Sequence, residues 1–207
     1  MDQTYFRVLH SLNLKRPITV VGLPGIGRIG NIVARFLIES SRAELFAEMY
    51  SPSFPDYVVI DKNGICRPPR YEFYASTTNK NLLILTGDAQ LPIDNVVVHH
   101  EICGEVIDFI SDIGSDFIIT VDGASSPQPT KDVYIAATSK KLAAEYSKRN
   151  AALFKGGRII GPSGLLLGLA KMRRLRGICI IGQTTGLTVD QEAALNVYRF
   201  IKKIAIN

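Results

Sequence analysis

Short unbroken apolar runs recur along the chain at residues 17–21, 82–86, 117–121, 133–137 and 178–181. Runs of four or five residues bounded by turn formers read as strands buried on both faces of a sheet. Between them the pattern predicts helices over 31–41, 96–113, 139–148, 165–172 and 189–204. Ser139 stands at the N-cap position of the third, and Thr188 or Asp190 starts the last.

Strand and helix do not simply alternate. After the first helix, Ser51-Pro52-Ser53-Phe54-Pro55 leads into Tyr57-Val58-Val59-Ile60, and Asp61-Lys62-Asn63-Gly64 returns the chain through Ile65-Cys66. An Asn-Gly pair between two apolar segments signals a hairpin. Pro68-Pro69 ends that ribbon, Tyr71 to Ala75 alternates in strand fashion, and a polar turn from Thr77 to Lys80 leads to the run at 82–86. Consecutive strands with no helix between them make the sheet mixed. The expected architecture is one α/β domain over residues 1–207, a three-layer α/β/α sandwich whose sheet is mixed and mainly parallel.

Composition narrows the class of protein. With 46% apolar and 21% charged residues in 207, the chain suits one well-filled core rather than two. The formal charge of +5 gathers in short clusters at Lys140-Lys141, 171–176 and Lys202-Lys203. Without an aromatic-interleaved basic stripe these read as solvated surface, so nucleic acid is not an expected partner. Cys66, Cys103 and Cys179 are widely spaced with no C-x-x-C pair, as for reduced thiols in a cytoplasmic protein. No segment has the apolar length of a signal sequence or membrane span, so a cytoplasmic protein with no membrane partner is expected.

The most suggestive short motif is GLPGIGRIGN at 22–31, which holds G-x-G-x-x-G at Gly25, Gly27 and Gly30 directly after the first strand. Glu48 lies about where a dinucleotide fold places an acidic residue on a ribose hydroxyl. The hairpin that follows breaks the alternation such a fold needs, so these glycines are expected to shape the strand-to-helix turn instead. Other polar or glycine-rich stretches fall at presumed strand ends, where α/β sheets bind ligands. The candidate ligand-binding set is therefore Gly25, Gly27, Gly30, Asp88, Gln90, Asp122, Gly123, Ser163, Gly164 and Thr185.

Catalytic sets are harder to find. Ser163 stands in G-P-S-G rather than in a five-residue nucleophile elbow, and His99 and Cys103 share a helix face without a third ligand at metal-binding spacing. Asp88 and Asp122 are a candidate carboxylate pair. No catalytic residue, metal or cofactor is expected. The alternative is a nucleoside or nucleotide hydrolase, or a nucleotide-binding module, built from the strand-end loops.

Seven stretches in one order carry a resemblance: GLPGIGRIGN, AEMYSPSFPDYVVIDKNG, RPPRYEFY, LLILTGDAQ, IITVDGA, IIGPSGLLLGLA and GQTTG. From about Ile18 to Ile204 the chain resembles the proteasome assembly chaperone 2 family, including its archaeal proteasome-assembly chaperone homologues. The resemblance implies a phosphorylase- or hydrolase-like α/β/α fold and a non-catalytic chaperone. It also implies self-association into a homo-oligomer or pairing with a paralogous assembly chaperone, and binding to proteasome α-subunits while their ring forms. Some members end in a hydrophobic-Tyr-any tripeptide that docks through its carboxylate, whereas this chain ends Ala205-Ile206-Asn207. Recognition is then expected from the folded surface, with Phe54, Tyr57 and Arg70 on the proline-bounded loop and ribbon, and Arg173 and Arg174 steering an acidic partner.

Overall fold

The computed structural model describes residues 1–12, 14–76, 81–92 and 95–206. The expected turn from Thr77 to Lys80 and the terminal Asn207 lie outside the described residues. In chain order the elements are β1 (Tyr5–Val8), β2 (Ile18–Val21), α1 (Ile29–Ser41), β3 (Glu44–Tyr50), β4 (Val59–Ile60), β5 (Cys66–Arg67), β6 (Tyr71–Ser76) and β7 (Leu82–Gly87). There follow α2 (Val96–Asp112), β8 (Phe117–Ser125), β9 (Val133–Ala137), α3 (Lys140–Ser147), β10 (Ala152–Leu153), α4 (Pro162–Met172), β11 (Arg176–Thr184) and α5 (Gln191–Ile201).

Nine strands form one sheet in the order β1-β3-β6-β7-β2-β8-β11-β9-β10, while β4 and β5 make a separate two-stranded ribbon. The centre, β7-β2-β8-β11, is parallel. On one flank β6 runs antiparallel to β7, β3 to β6 and β1 to β3, and on the other β9 runs antiparallel to β11. The unbroken apolar runs belong to these central strands, which are covered on both sides. Val20, Ile84, Ile119 and Ile180 pack with α1, α3 and α5, and Val21, Leu83, Leu85 and Ile118 pack with α2 and α4. Side chains alternate across each strand, so a run apolar at every position needs a helix layer on either face.

The helix ends follow the capping residues. Ser139 Oγ accepts from the Leu142 N–H at 3.3 Å, and Asp190 Oδ1 accepts from the Ala193 N–H at 2.9 Å, which makes Asp190 rather than Thr188 the start of α5. Pro162 occupies the first turn of α4, where its missing N–H costs nothing. The ribbon forms where Asn63-Gly64 predicts it, with Gly64 at φ 79° and the Asp61 carboxylate accepting from the Asn63 and Ile65 N–H groups.

Three strands were not expected. β3 is rich in Glu, Ala, Leu and Met, residues with no strand preference, and a register shift between Leu45 and Ala47 breaks its alternation. Edge strand β1 has a mainly exposed pattern, and β10 is two residues long.

Candidate functional site

The carboxyl ends of β2, β7, β8 and β11 lie along one edge of the sheet and bring most of the sequence-named residues together. The chain leaves β2 through Gly22 to Gly25, makes one 3-10 turn (Ile26–Arg28) and enters α1. Gly27 has φ 62°, a left-handed conformation that side chains rarely adopt, and an added Cβ would also press on Thr184 of β11. A Cβ on Gly30 would run into the Leu23 carbonyl oxygen, so this glycine lets α1 lie against the turn that precedes it. The glycine pattern thus answers to turn geometry and close packing.

Asp122 and Gly123 sit under that turn. The Gly123 N–H donates to Asp122 Oδ1 at 2.8 Å, a Cβ on Gly123 would strike the Ile26 carbonyl, and a Cβ on Gly25 would come within 3.3 Å of the Asp122 carboxylate. Burial pushes the Asp122 carboxyl up from 3.8 to about 6, against the lowering effect of the Gly123 N–H. Ser163 is buried with its hydroxyl donating to the Val121 carbonyl at 3.1 Å, which ties α4 to β8. Thr185 is exposed and its carbonyl accepts from Ser125 Oγ at 3.2 Å. Asn31 Nδ2 donates to the Gly87 carbonyl at 3.2 Å, and its buried Oδ1 has no hydrogen-bond partner.

Asp88, at the end of β7, is gripped by Arg67 of the ribbon through two bonds of 2.5 and 3.1 Å, while its backbone carbonyl accepts from the Tyr57 hydroxyl at 3.0 Å. The expected Asp88–Asp122 pair is corrected: β2 lies between their strands, two strand spacings or about 10 Å of sheet, and each carboxylate has its own neighbours. Gln90 is exposed beyond this point.

Glu48 likewise fits the reading of the glycine motif as a turn and not as a dinucleotide site. It is 4% exposed in β3, antiparallel to β6, and Arg70 bonds to it while also reaching Glu72 at 2.7 Å and the Tyr50 hydroxyl at 3.4 Å. Its carboxylate is taken up by partners within the chain. The same network holds Arg70 within the chain, away from its expected role as a contact residue.

Phe54 does not present a contact face. It is 8% exposed and packs on Tyr71 at a ring distance of 4.8 Å, because the prolines on either side turn it into the gap above β6. Arg173 is occupied by Asp108 and the Gly104 carbonyl. Tyr57 and Arg174 stay exposed. Cys103 is buried, its thiol pushed up to about 12 by burial, and His99 Nε2 lies 2.9 Å from the Pro92 carbonyl. No group of three or more His, Cys, Asp or Glu suited to a metal occurs among the described residues. No described helix is long and apolar enough to cross a membrane.

Two surface features escaped sequence reasoning. Ile26, Leu187 and Val189 form an exposed apolar patch where the β2 turn meets the segment after β11: a Cβ on Gly186 would touch Ile26 at 3.3 Å, and the Asp190 N–H donates to the Gly27 carbonyl at 2.9 Å. The second is a groove of about 370 Å³ between α4 and the β9–β10 flank. Of the ligand candidates, Gly164 alone lines it. Its sequence signals are Gly164 and Gly168, one turn apart on α4, and the Gly156-Gly157 pair in the facing loop.

Residues 19–206 match the model of the PAC2 family, and the chain belongs to that family. It is similar to the crystal structure of Pyrococcus furiosus PbaB, an archaeal proteasome activator, with 34% identity and a TM-score of 0.92 over 99% of this chain and 90% of that one. It is also similar to Pyrococcus furiosus PbaA, an archaeal homolog of proteasome-assembly chaperone, with 26% identity and a TM-score of 0.81 over 96% of this chain and 81% of that one. An uncharacterised protein of Methanocaldococcus jannaschii is 30% identical over 201 residues, 94% of this chain and 77% of that one. The mixed sheet with helices on both faces is the fold these structures share.

Proposed function

We propose that this PAC2-family chain is a proteasome assembly chaperone that binds proteasome α-subunits as their ring forms. The observation that carries the reading is the likeness over nearly the whole chain to both PbaB and PbaA. The burial pattern supports the choice of contact surface. With Phe54 turned inward, the carboxyl edge offers Ile26, Leu187 and Val189 instead, and Leu187 is 88% exposed. An apolar patch ringed by polar loops is a common docking surface. The buried or ion-paired state of Asp88, Ser163 and Glu48 leaves few free reactive groups at this edge.

A second reading is that the chain activates the assembled proteasome, and it is favoured by the higher identity to PbaB than to PbaA. One experiment separates the two. The purified chain is incubated with isolated α-subunits and, separately, with assembled proteasomes, and complexes are resolved by native electrophoresis. Assembly activity predicts a complex with free α-subunits and faster ring formation. Activation predicts binding to the assembled particle and faster peptide hydrolysis.

A further inference from the structure

α4 packs over β8 and β11 and stops short of β9, whose Tyr134 and Ala136 are left half-buried on that side of the sheet. The chain between β10 and α4 stands there as a wall in place of a helix. Between wall and helix lies the groove of about 370 Å³, with Ala136, Phe154, Ile159 and Leu167 as its apolar surface. Backbone shapes both sides. Gly164 and Gly168 stand one turn apart on α4, and a Cβ on Gly168 would meet nothing within 4 Å. In the wall, Gly156 and Gly157 have φ of 73° and 82°, left-handed values that let the chain fold around the Phe154 ring. A pocket shaped by backbone and packed side chains has its ordering cost met before a ligand arrives.

One end of the groove is polar. The Thr138 N–H donates to the Gly177 carbonyl at 3.0 Å, and Thr138 Oγ1 accepts from the Gly177 N–H at 3.0 Å, which pins Thr138 beside the start of β11. The hydroxyl hydrogen itself has no acceptor among the described residues. Lys171, in the last turn of α4 before the chain enters β11, lines the same end. The two segments that build the groove, 133–138 and 152–172, contain Lys155, Arg158 and Lys171 and no Asp or Glu. None of these three basic residues has an ion-pair partner among the described residues. Asp116, just before the neighbouring β8, is already paired with Arg16 and Arg176.

We propose that the groove binds a small carboxylate with an apolar body, its chain along Phe154, Ile159 and Leu167 and its two oxygens facing the Lys171 ammonium and the Thr138 hydroxyl. The charge of the site selects an anion, and one ammonium beside one hydroxyl donor suits the two oxygens of a single carboxylate. The cavity sets the size. At about 30 Å³ for each water-sized group it holds on the order of ten to twelve heavy atoms, enough for a short acid and for no more than a residue or two of polypeptide. The groove lies apart from Ile26, Leu187 and Val189, so it stands whether or not those residues contact α-subunits.

Isothermal titration of the full chain with sodium octanoate tests the assignment, with octanol as the neutral probe of the same length. Octanoate binds one per chain with a Kd below about 1 mM, and octanol binds at least about tenfold more weakly. Added salt weakens octanoate and leaves octanol unchanged. Lys171→Met lowers octanoate affinity at least about tenfold and leaves octanol binding as it was, a selective loss that a disturbed fold would not give. Gly168→Leu fills the groove and removes both at unchanged circular dichroism. Equal affinity for octanoate and octanol, undiminished octanoate binding in either variant, or no binding to the native chain at about 1 mM octanoate overturns the proposal. So does a short leucine-ended peptide that binds through its free carboxylate where octanoate does not, which would make the groove a site for a chain end.

Discussion

Arg67 holds Asp88 through two nitrogen-to-oxygen contacts of 2.5 and 3.1 Å, and this pair fastens the ribbon to the carboxyl end of β7. Both side chains are about a quarter exposed, so solvent screens part of the attraction. Arg67→Ala is expected to cost only about 1 kcal/mol of global stability. Its larger effect is local: amide exchange across residues 57–67 rises at least about tenfold, because the ribbon loses its anchor. Hydrogen-exchange mass spectrometry reads this directly, and unchanged protection there would show that Phe54 packing and the Tyr57 hydroxyl bond hold the ribbon without Arg67.

Asp122 makes stability depend on pH in an unusual direction for a carboxylate. Its folded value of about 6 lies above the ordinary 3.8, so between these values the folded chain binds the proton more tightly than the unfolded chain. Its contribution is fully present below about 4 and is lost as pH rises through about 6. A gap of that size corresponds to roughly 2–3 kcal/mol. Asp122→Asn keeps the neutral hydrogen-bonding shape, so urea titrations at both ends of the window should show the variant losing less stability than the native chain. Parallel pH profiles for the two proteins would place the titrating group elsewhere.

Glycines on the two sides of α4 and α1 should respond in opposite senses. Gly30→Ala pushes a methyl group into the Leu23 carbonyl and is expected to cost about 1–3 kcal/mol. Gly168→Ala fills open space inside a helix and should add roughly 0.5–1 kcal/mol. Thermal melts of both variants give the comparison, and a neutral Gly30→Ala would mean that the turn after β2 can relax.

Arg70 and Glu48 couple strongly because Glu48 is almost wholly buried. Arg70→Met leaves the buried Glu48 carboxylate with only the Arg7 guanidinium at 3.7 Å and the Tyr50 hydroxyl at 3.2 Å, and is expected to cost about 2–3 kcal/mol, whereas adding Glu48→Gln recovers much of the loss. A double-mutant cycle measures the coupling. Additive single effects would leave the pair without the role assigned to it.

The legible parts of the fold are those in which local pattern and tertiary demand agree. The runs at Leu82 and Ile178 need both helix layers and announce it by having no polar alternation. Asn63-Gly64 fixes its hairpin locally. β3 could not be read because Glu48 is buried by an ion pair with Arg70, and a partner 22 residues away leaves no periodic trace. The inward turn of Phe54 depends likewise on Tyr71, and the groove on contact between α4 and β9, which only the finished sheet creates. Glycine positions were more informative: the reading of Gly25, Gly27 and Gly30 as a packed turn agrees with the geometry around Leu23, Asp122 and Thr184.

The proposed chaperone role is tested most directly by co-expressing the tagged chain with cognate proteasome α-subunits and measuring what co-purifies. Binding through the folded carboxyl edge predicts that α-subunits are retained by the native chain. It further predicts that Leu187→Asp lowers their recovery at least about tenfold at unchanged fold, since a charge would be buried in an apolar contact. Failure of the native chain to retain α-subunits would contradict the role itself, and full retention by Leu187→Asp would contradict the surface assigned to it.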